Sequence, residues 1–267
     1  MIQKHCLPIT VLICTLLWFL PPPVDADGQH KGECVIVLHG LGRTEASMRK
    51  IEKALLENNY LVWNETYPSR EADIESLAAN HISQGLRRCG EWNAAAVHFV
   101  THSLGGILVR QYLQANEIPG LGHIVMLAPP NHGSEVVDHM QDGSFFQEIM
   151  GPAGQQLSTH KESTPNALKP IPGTIGVIAG SITSDPWFAW MFTGPNDGKV
   201  SVESARLEEM ADFLVVKHGH TFIMTYEDVI EQVLFFLKHG KFEADRHGDR
   251  LYKGAPPDSH EEVYNHR

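Results

Sequence analysis

The sequence predicts an α/β fold in which about six mostly parallel strands are covered by helices on both faces. Three observations carry that prediction. Short runs of consecutive apolar residues alternate with amphipathic helical patterns, the alternation persists from Cys34 to Leu237, and polar or glycine-rich turns separate the segments. A strand buried on both faces reads as an unbroken apolar run, and a helix is the usual connection between parallel neighbours. With 267 residues there is chain enough for one large domain of this kind. Hydrophobic residues make up 42% and charged residues 20%, a balance that can bury a core. The net charge of −11 argues against nucleic acid or an anionic membrane surface as an electrostatic partner. Sixteen histidines make that charge fall steeply as pH drops through their range.

Residues 1–26 read as a secretory signal outside the fold. Lys4 precedes an apolar stretch from Leu7 to Leu20, followed by Pro21-Pro22-Pro23 and a small residue, Ala26, at a cleavable position. The stretch is shorter than the ~20 residues that span a bilayer. The expectation is a secreted or periplasmic protein, with an uncleaved membrane anchor as the alternative.

The domain expected over residues 27–240 begins with the strand Cys34–Leu38, which runs into His39-Gly40-Leu41-Gly42-Arg43. A helix follows, with Met48, Ile51, Ala54 and Leu55 on one face. Leu61-Val62-Trp63 is the second strand and leads into a Tyr67-Pro68 loop. Ile74, Leu77, Ala78, Ile82 and Leu86 mark a second helix, closed by Gly90. The third strand ends at Thr101-His102-Ser103-Leu104-Gly105-Gly106, and Leu104, Ile107, Leu108 and Leu113 continue at helical spacing. His123–Leu127 is the fourth strand, ending in Pro129-Pro130. Residues 131–170 carry weaker helical signals broken by glycine and proline and suit a cap or insert. Ile175–Ala179 and Phe213–Val216 complete the sheet. The last helix shows Tyr226, Val229, Ile230, Val233, Leu234 and Leu237 on one face, with Thr225 and Asp228 as its cap and Gly240 as its stop. Residues 241–267 are polar and read as a disordered tail.

Ligands gather at the carboxyl ends of parallel strands, so the polar residues that follow each strand are the candidates for a site. Ser103 stands between strand and helix in a tight turn, the arrangement that exposes a nucleophilic serine; alone, the segment reads equally well as an ordinary turn. The position two residues before the serine, usually glycine, is Thr101, a β-branched departure. A serine of this kind needs a base, and His220 follows the last strand, with His218 as its nearest rival. An acid must hold that imidazole: Asp197 in the turn between the fifth and sixth strands is the candidate, and Asp185 the runner-up. The amides of Leu104 and Leu41 are placed to donate to an oxyanion.

Taken with Pro129-Pro130-Asn131-His132-Gly133-Ser134, Pro195-Asn196-Asp197-Gly198 and Gly219-His220-Thr221, these segments resemble the bacterial α/β-hydrolase lipases and esterases over about residues 33–240. The resemblance implies an α/β-hydrolase fold and a serine carboxylic-ester hydrolase acting through Ser103, His220 and Asp197, because lipases of this group use the aspartate of Asn-Asp-Gly. Thr101 is the main departure from their pattern. An acyltransferase or a thioesterase would use the same triad, and a non-catalytic binding protein could retain the fold. The implied partner is a small-molecule or lipid ester, with transient contact to a lipid surface. No cofactor is expected; some lipases of this kind bind structural calcium, and no acidic cluster here is assigned to it.

Two further expectations concern packing. Tyr67 and the aromatic segment holding Trp187 and Trp190 are placed to contact substrate, the latter as a pocket wall or lipid-facing lip, with a buried core position as the alternative. Cys34 and Cys89, the cysteines left after Cys6 and Cys14 depart with the signal, are expected to form a disulfide. Cys34 begins the first strand, and Cys89 ends the helix that has run back to the same edge of the sheet.

Overall fold

A computed structural model of the chain describes residues 32–183 and 189–243. Its six strands are β1 (Glu33–Leu38), β2 (Leu61–Asn64), β3 (Ala96–His102), β4 (Leu121–Leu127), β5 (Thr174–Gly180) and β6 (Asp212–Val216). They form one sheet in the order β2-β1-β3-β4-β5-β6, and every neighbouring pair is parallel. Successive side chains point to opposite faces of a strand, so each apolar run feeds two cores. Ile36, Phe99, Ile124 and Ile175 pack on one face and Val35, Val37, Val100 and Val125 on the other. This double burial is why the strands lack a polar alternation.

The second face is covered by α1 (Arg49–Glu57) and α8 (Glu227–His239), through Ile51, Leu55, Val229, Val233 and Phe236. The first is covered by α2 (Ile74–Leu77), a π-helical turn at Ala78–Ile82, α3 (Ser83–Glu91) and α4 (Leu104–Tyr112). Residues 131–170 contain α5 (Glu135–Met140), α6 (Ser144–Gln155) and α7 (Thr164–Ala167). Within α6 the backbone breaks at Gly151 (φ 63°), where the chain passes against the carbonyl of Arg70 and has no room for a Cβ.

Helix ends differ from the sequence reading in two places. Gly90 lies inside α3; the stop is Asn93, in the left-handed region at φ 55°. Asn93 N–H donates to Gly90 O and Ala94 N–H to Cys89 O, the paired bonds that satisfy the last carbonyls of a helix. Asn59 (φ 64°) ends α1 in the same way, with Asn59 N–H on Leu56 O and Tyr60 N–H on Leu55 O. Asparagine tolerates this conformation nearly as glycine does. At the start of α8, Thr225 and Asp228 do not cap: Thr225 Oγ1 donates to Phe222 O, and Asp228 engages His218 at 2.8 Å. Gly240 ends α8 at φ 67°, as the pattern predicts.

Cys34 and Cys89 are bonded, with Cα atoms 5.7 Å apart, and both are fully buried. The bridge ties the first residues of β1 to the end of α3 at the edge of the sheet away from the strands' carboxyl ends. Residues 1–26 and all but the first three positions of the 241–267 tail lie outside the described residues, as do Asp185 and Trp187.

Candidate active site

From β1 the chain crosses first to β2 on one side and then returns to β3 on the other. The strands therefore part direction between β1 and β3, and a crevice opens there at their carboxyl ends. The loop after β1 supplies Gly40–Arg43 to that crevice, and the turn after β3 supplies Ser103.

Ser103 has φ 52° and ψ −120°, a conformation that costs an L-residue on the order of 1–3 kcal/mol and is held by its surroundings. Its N–H donates to Leu127 O at 2.9 Å, fixing the turn to β4. Gly105 lets α4 leave the strand at once, since a Cβ there would lie 2.8 Å from both Leu38 Cβ and Leu38 O. Thr101 fits because its methyl-bearing side chain is wholly buried and its hydroxyl reaches Val125 O at 3.4 Å.

An unbroken relay runs from the serine. Ser103 Oγ lies 3.1 Å from His220 Nε2, and His220 Nδ1 lies 2.8 Å from Asp197 Oδ2. With Nδ1–H donating to the carboxylate, Nε2 presents its lone pair to the serine hydroxyl. Asp197 is buried, and its other oxygen accepts from the amides of Lys199 (3.0 Å) and Val200 (2.8 Å), so both oxygens are oriented. The backbone joins the same residues: His220 N–H donates to Asp197 O at 3.0 Å. Gly180, at the end of β5, admits the acid's loop, because a Cβ there would come within 2.8 Å of Asp197 Cβ. The serine, the histidine and the aspartate singled out in the sequence thus meet in one chain of hydrogen bonds.

His218, the rival base, points elsewhere: its ring stacks on Tyr226 at 3.7 Å and its Nε2 pairs with Asp228. His102, beside the serine, is buried and donates Nε2–H to His220 O at 3.0 Å. Burial, reinforced by the neighbouring His220, holds its imidazole well below the ordinary histidine range. His102 is therefore a neutral donor that fixes the backbone of His220. The sequence offered a signal for this, a histidine on the turn itself, but not the direction of its ring.

Leu104 opens α4, where first-turn amides lack partners within the helix, and the positive end of the helix faces the serine. Leu41 lines the pocket above Ser103. It is the second residue of a turn closed by Arg43 N–H on Gly40 O (3.2 Å), with Gly42 at φ 66° in the third position. A serine hydroxyl, Ser69 Oγ, accepts from Gly42 N–H at 2.9 Å and anchors the turn.

The pocket at Ser103 has a volume of about 310 Å³. Leu41, Val136, Met140, Ile149, Met150 and Leu157 give it an apolar wall, most of it from α5 and α6. Ser134 ties that insert to the acid's loop by donating to Lys199 O at 2.6 Å. Tyr67 is not in the wall, contrary to the sequence reading. It is buried under the loop after β1, its hydroxyl donating to His39 O at 2.6 Å and its ring stacked on His39 at 4.0 Å. Tyr67 shapes the floor of the loop instead of touching a ligand. Trp190 is 69% exposed, so it is not core; its ring lies 5.0 Å from that of His139 on α5, outside the pocket lining. Among the described residues no cluster of three or more His, Cys, Asp or Glu side chains could hold a metal ion.

The sheet order, the turn bearing Ser103 and the helices on both faces define an α/β-hydrolase fold. No protein-family model matches the sequence, and no curated protein does either. Solved structures do. The mature form of the Bacillus licheniformis lipase BlEst2 is similar with a TM-score of 0.64 and 21% identity, over 80% of this chain and 94% of that one. A lipase-esterase related protein from Clostridium acetobutylicum ATCC 824 gives 0.50 at 15% identity, over 78% and 96%. The metagenomic carboxyl esterase MGS0156 gives 0.53 at 17% identity, over 71% and 64%. These structural neighbours are bacterial lipases and esterases, and at such identities the likeness is one of fold.

Proposed function

We propose that this chain is an exported serine hydrolase of carboxylic esters that works through an acyl-enzyme on Ser103. The observation that carries the reading is the relay Ser103 Oγ–His220 Nε2 and His220 Nδ1–Asp197 Oδ2, at 3.1 and 2.8 Å, opening on an apolar pocket. Ser103 Oγ attacks the acyl carbon as its proton passes to His220 Nε2. Asp197 keeps the imidazole in the required tautomer and stabilises its cation. The tetrahedral oxyanion faces the N–H groups of Leu104 and Leu41, which are fixed before the reaction and need no reorganisation. Collapse expels the alcohol with the proton from His220. Water, deprotonated by the same nitrogen, then releases the acid and restores the serine.

Export is supported by the bridge between Cys34 and Cys89, since such bonds persist in oxidising compartments. Hydrolysis of nitrophenyl esters of increasing acyl length tests the activity. The apolar wall predicts a preference for medium over acetyl chains, and Ser103→Ala abolishes turnover. Undiminished turnover by Ser103→Ala would overturn the assignment.

A further inference from the structure

Arg43 belongs to the loop after β1. It is half-buried and lines the same pocket as Ser103 and His220. Its Nη2 donates to Thr221 O at 3.0 Å, and its guanidinium lies 5.8 Å from the centre of the Phe222 ring. Those two contacts lock the side chain against the segment that carries His220 without neutralising it. Among the described residues Arg43 makes no ion pair, whereas Arg49, Arg88 and Arg206 each meet a glutamate. Arg43 comes from the loop after β1, while most of the apolar wall comes from α5 and α6. The pocket is thus apolar on the side of the insert and carries the Arg43 guanidinium on the side of that loop.

A guanidinium held in place, with no carboxylate partner among the described residues, is suited to a phosphate or carboxylate. Resting on the ester-hydrolase reading above, we infer that the substrate is an acyl ester whose alcohol part carries an anionic oxygen group, bound by Arg43 while the acyl chain lies along α5 and α6.

Three octanoyl esters test this: that of glycerol, that of glycerol phosphate and that of glyceric acid, each below its aggregation threshold. The wild type is expected to favour one or both anionic esters by about tenfold or more in kcat/KM, the size of a charge-assisted contact. The better of the two identifies the group. Arg43→Gln brings the ratio near unity, and Arg43→Lys keeps part of it. Equal kcat/KM for neutral and anionic esters in the wild type, or an unchanged ratio in Arg43→Gln, overturns the inference and leaves ester hydrolysis standing. Turnover of none of the three, nor of nitrophenyl esters, overturns both. Should Arg43→Gln not fold, competitive inhibition of the wild type by glycerol phosphate but not glycerol decides the matter, and equal inhibition counts against it.

Discussion

Removing the bridge with Cys34→Ala/Cys89→Ala separates stability from catalysis in this fold. The two cysteines are 55 positions apart in sequence. Closing a loop of that length restricts the unfolded chain by about 4 kcal/mol in the chain-entropy treatment. For a domain of this size that corresponds to a drop of roughly 8–16 °C in Tm. Both sulfurs are fully buried, so the alanines also lose packing, which adds to the loss. The catalytic end should not feel it. His39, where the strand reaches the crevice, is five residues beyond Cys34, roughly 16 Å along an extended strand. The assay is a pair of measurements on wild type and double variant: thermal melting, and kcat/KM on a nitrophenyl ester at a temperature where both are folded. The expected result is a large fall in Tm with kcat/KM nearly unchanged. A Tm within a few degrees of wild type, or two reactive thiols in the unfolded, unreduced protein, would refute the reasoning.

Two other predictions concern charge. Asp197→Asn keeps the loop but loses the negative charge facing His220, and kcat should fall on the order of 10⁴-fold, as a mis-set imidazole tautomer does elsewhere; Asp185→Asn should leave it near wild type, and the reverse pattern would displace the acid. For pH, burial and then the nearby His39 push the His81 imidazole down to about 4, and burial likewise lowers those of His39 and His102. The unfolded chain, titrating near 6.5, therefore binds more protons than the folded one between those values. Stability present above pH ~6.5 is lost as pH falls toward 4. Urea midpoints at neutral and mildly acid pH should show this fall and show less of it in His81→Phe; equal slopes in the two proteins would contradict it.

What the sequence made legible follows from how strongly each residue is constrained. Strands such as Cys34–Leu38 and Ile175–Ala179 are legible because they are buried on both faces and every position in them is apolar. Ser103, His220 and Asp197 were legible because each lies just beyond a strand or in a sharp turn, where a parallel sheet collects its functional groups. The helix stops at Asn59 and Asn93 are not legible in the pattern, because the left-handed position that ends a helix is marked most strongly by glycine and these two are asparagines. Tyr67 was misplaced because the loop carries its ring back under His39, a tertiary contact with no local signature. Arg43 lies within a glycine-rich motif that does not reveal a role for it. Its meaning depends on Thr221 and Phe222, 178 and more positions away. The insert between β4 and β5 was the least legible stretch, since its helices are short and α6 breaks at Gly151.

In the proposed mechanism Ser103 becomes acylated with His220 as its base. The most direct measurement is mass-spectrometric mapping of the protein after reaction with a fluorophosphonate, in wild type, Ser103→Ala and His220→Ala. One adduct is expected, on the peptide bearing Ser103, absent in Ser103→Ala and formed far more slowly in His220→Ala. An adduct on another residue, or none in the folded wild type, would contradict it.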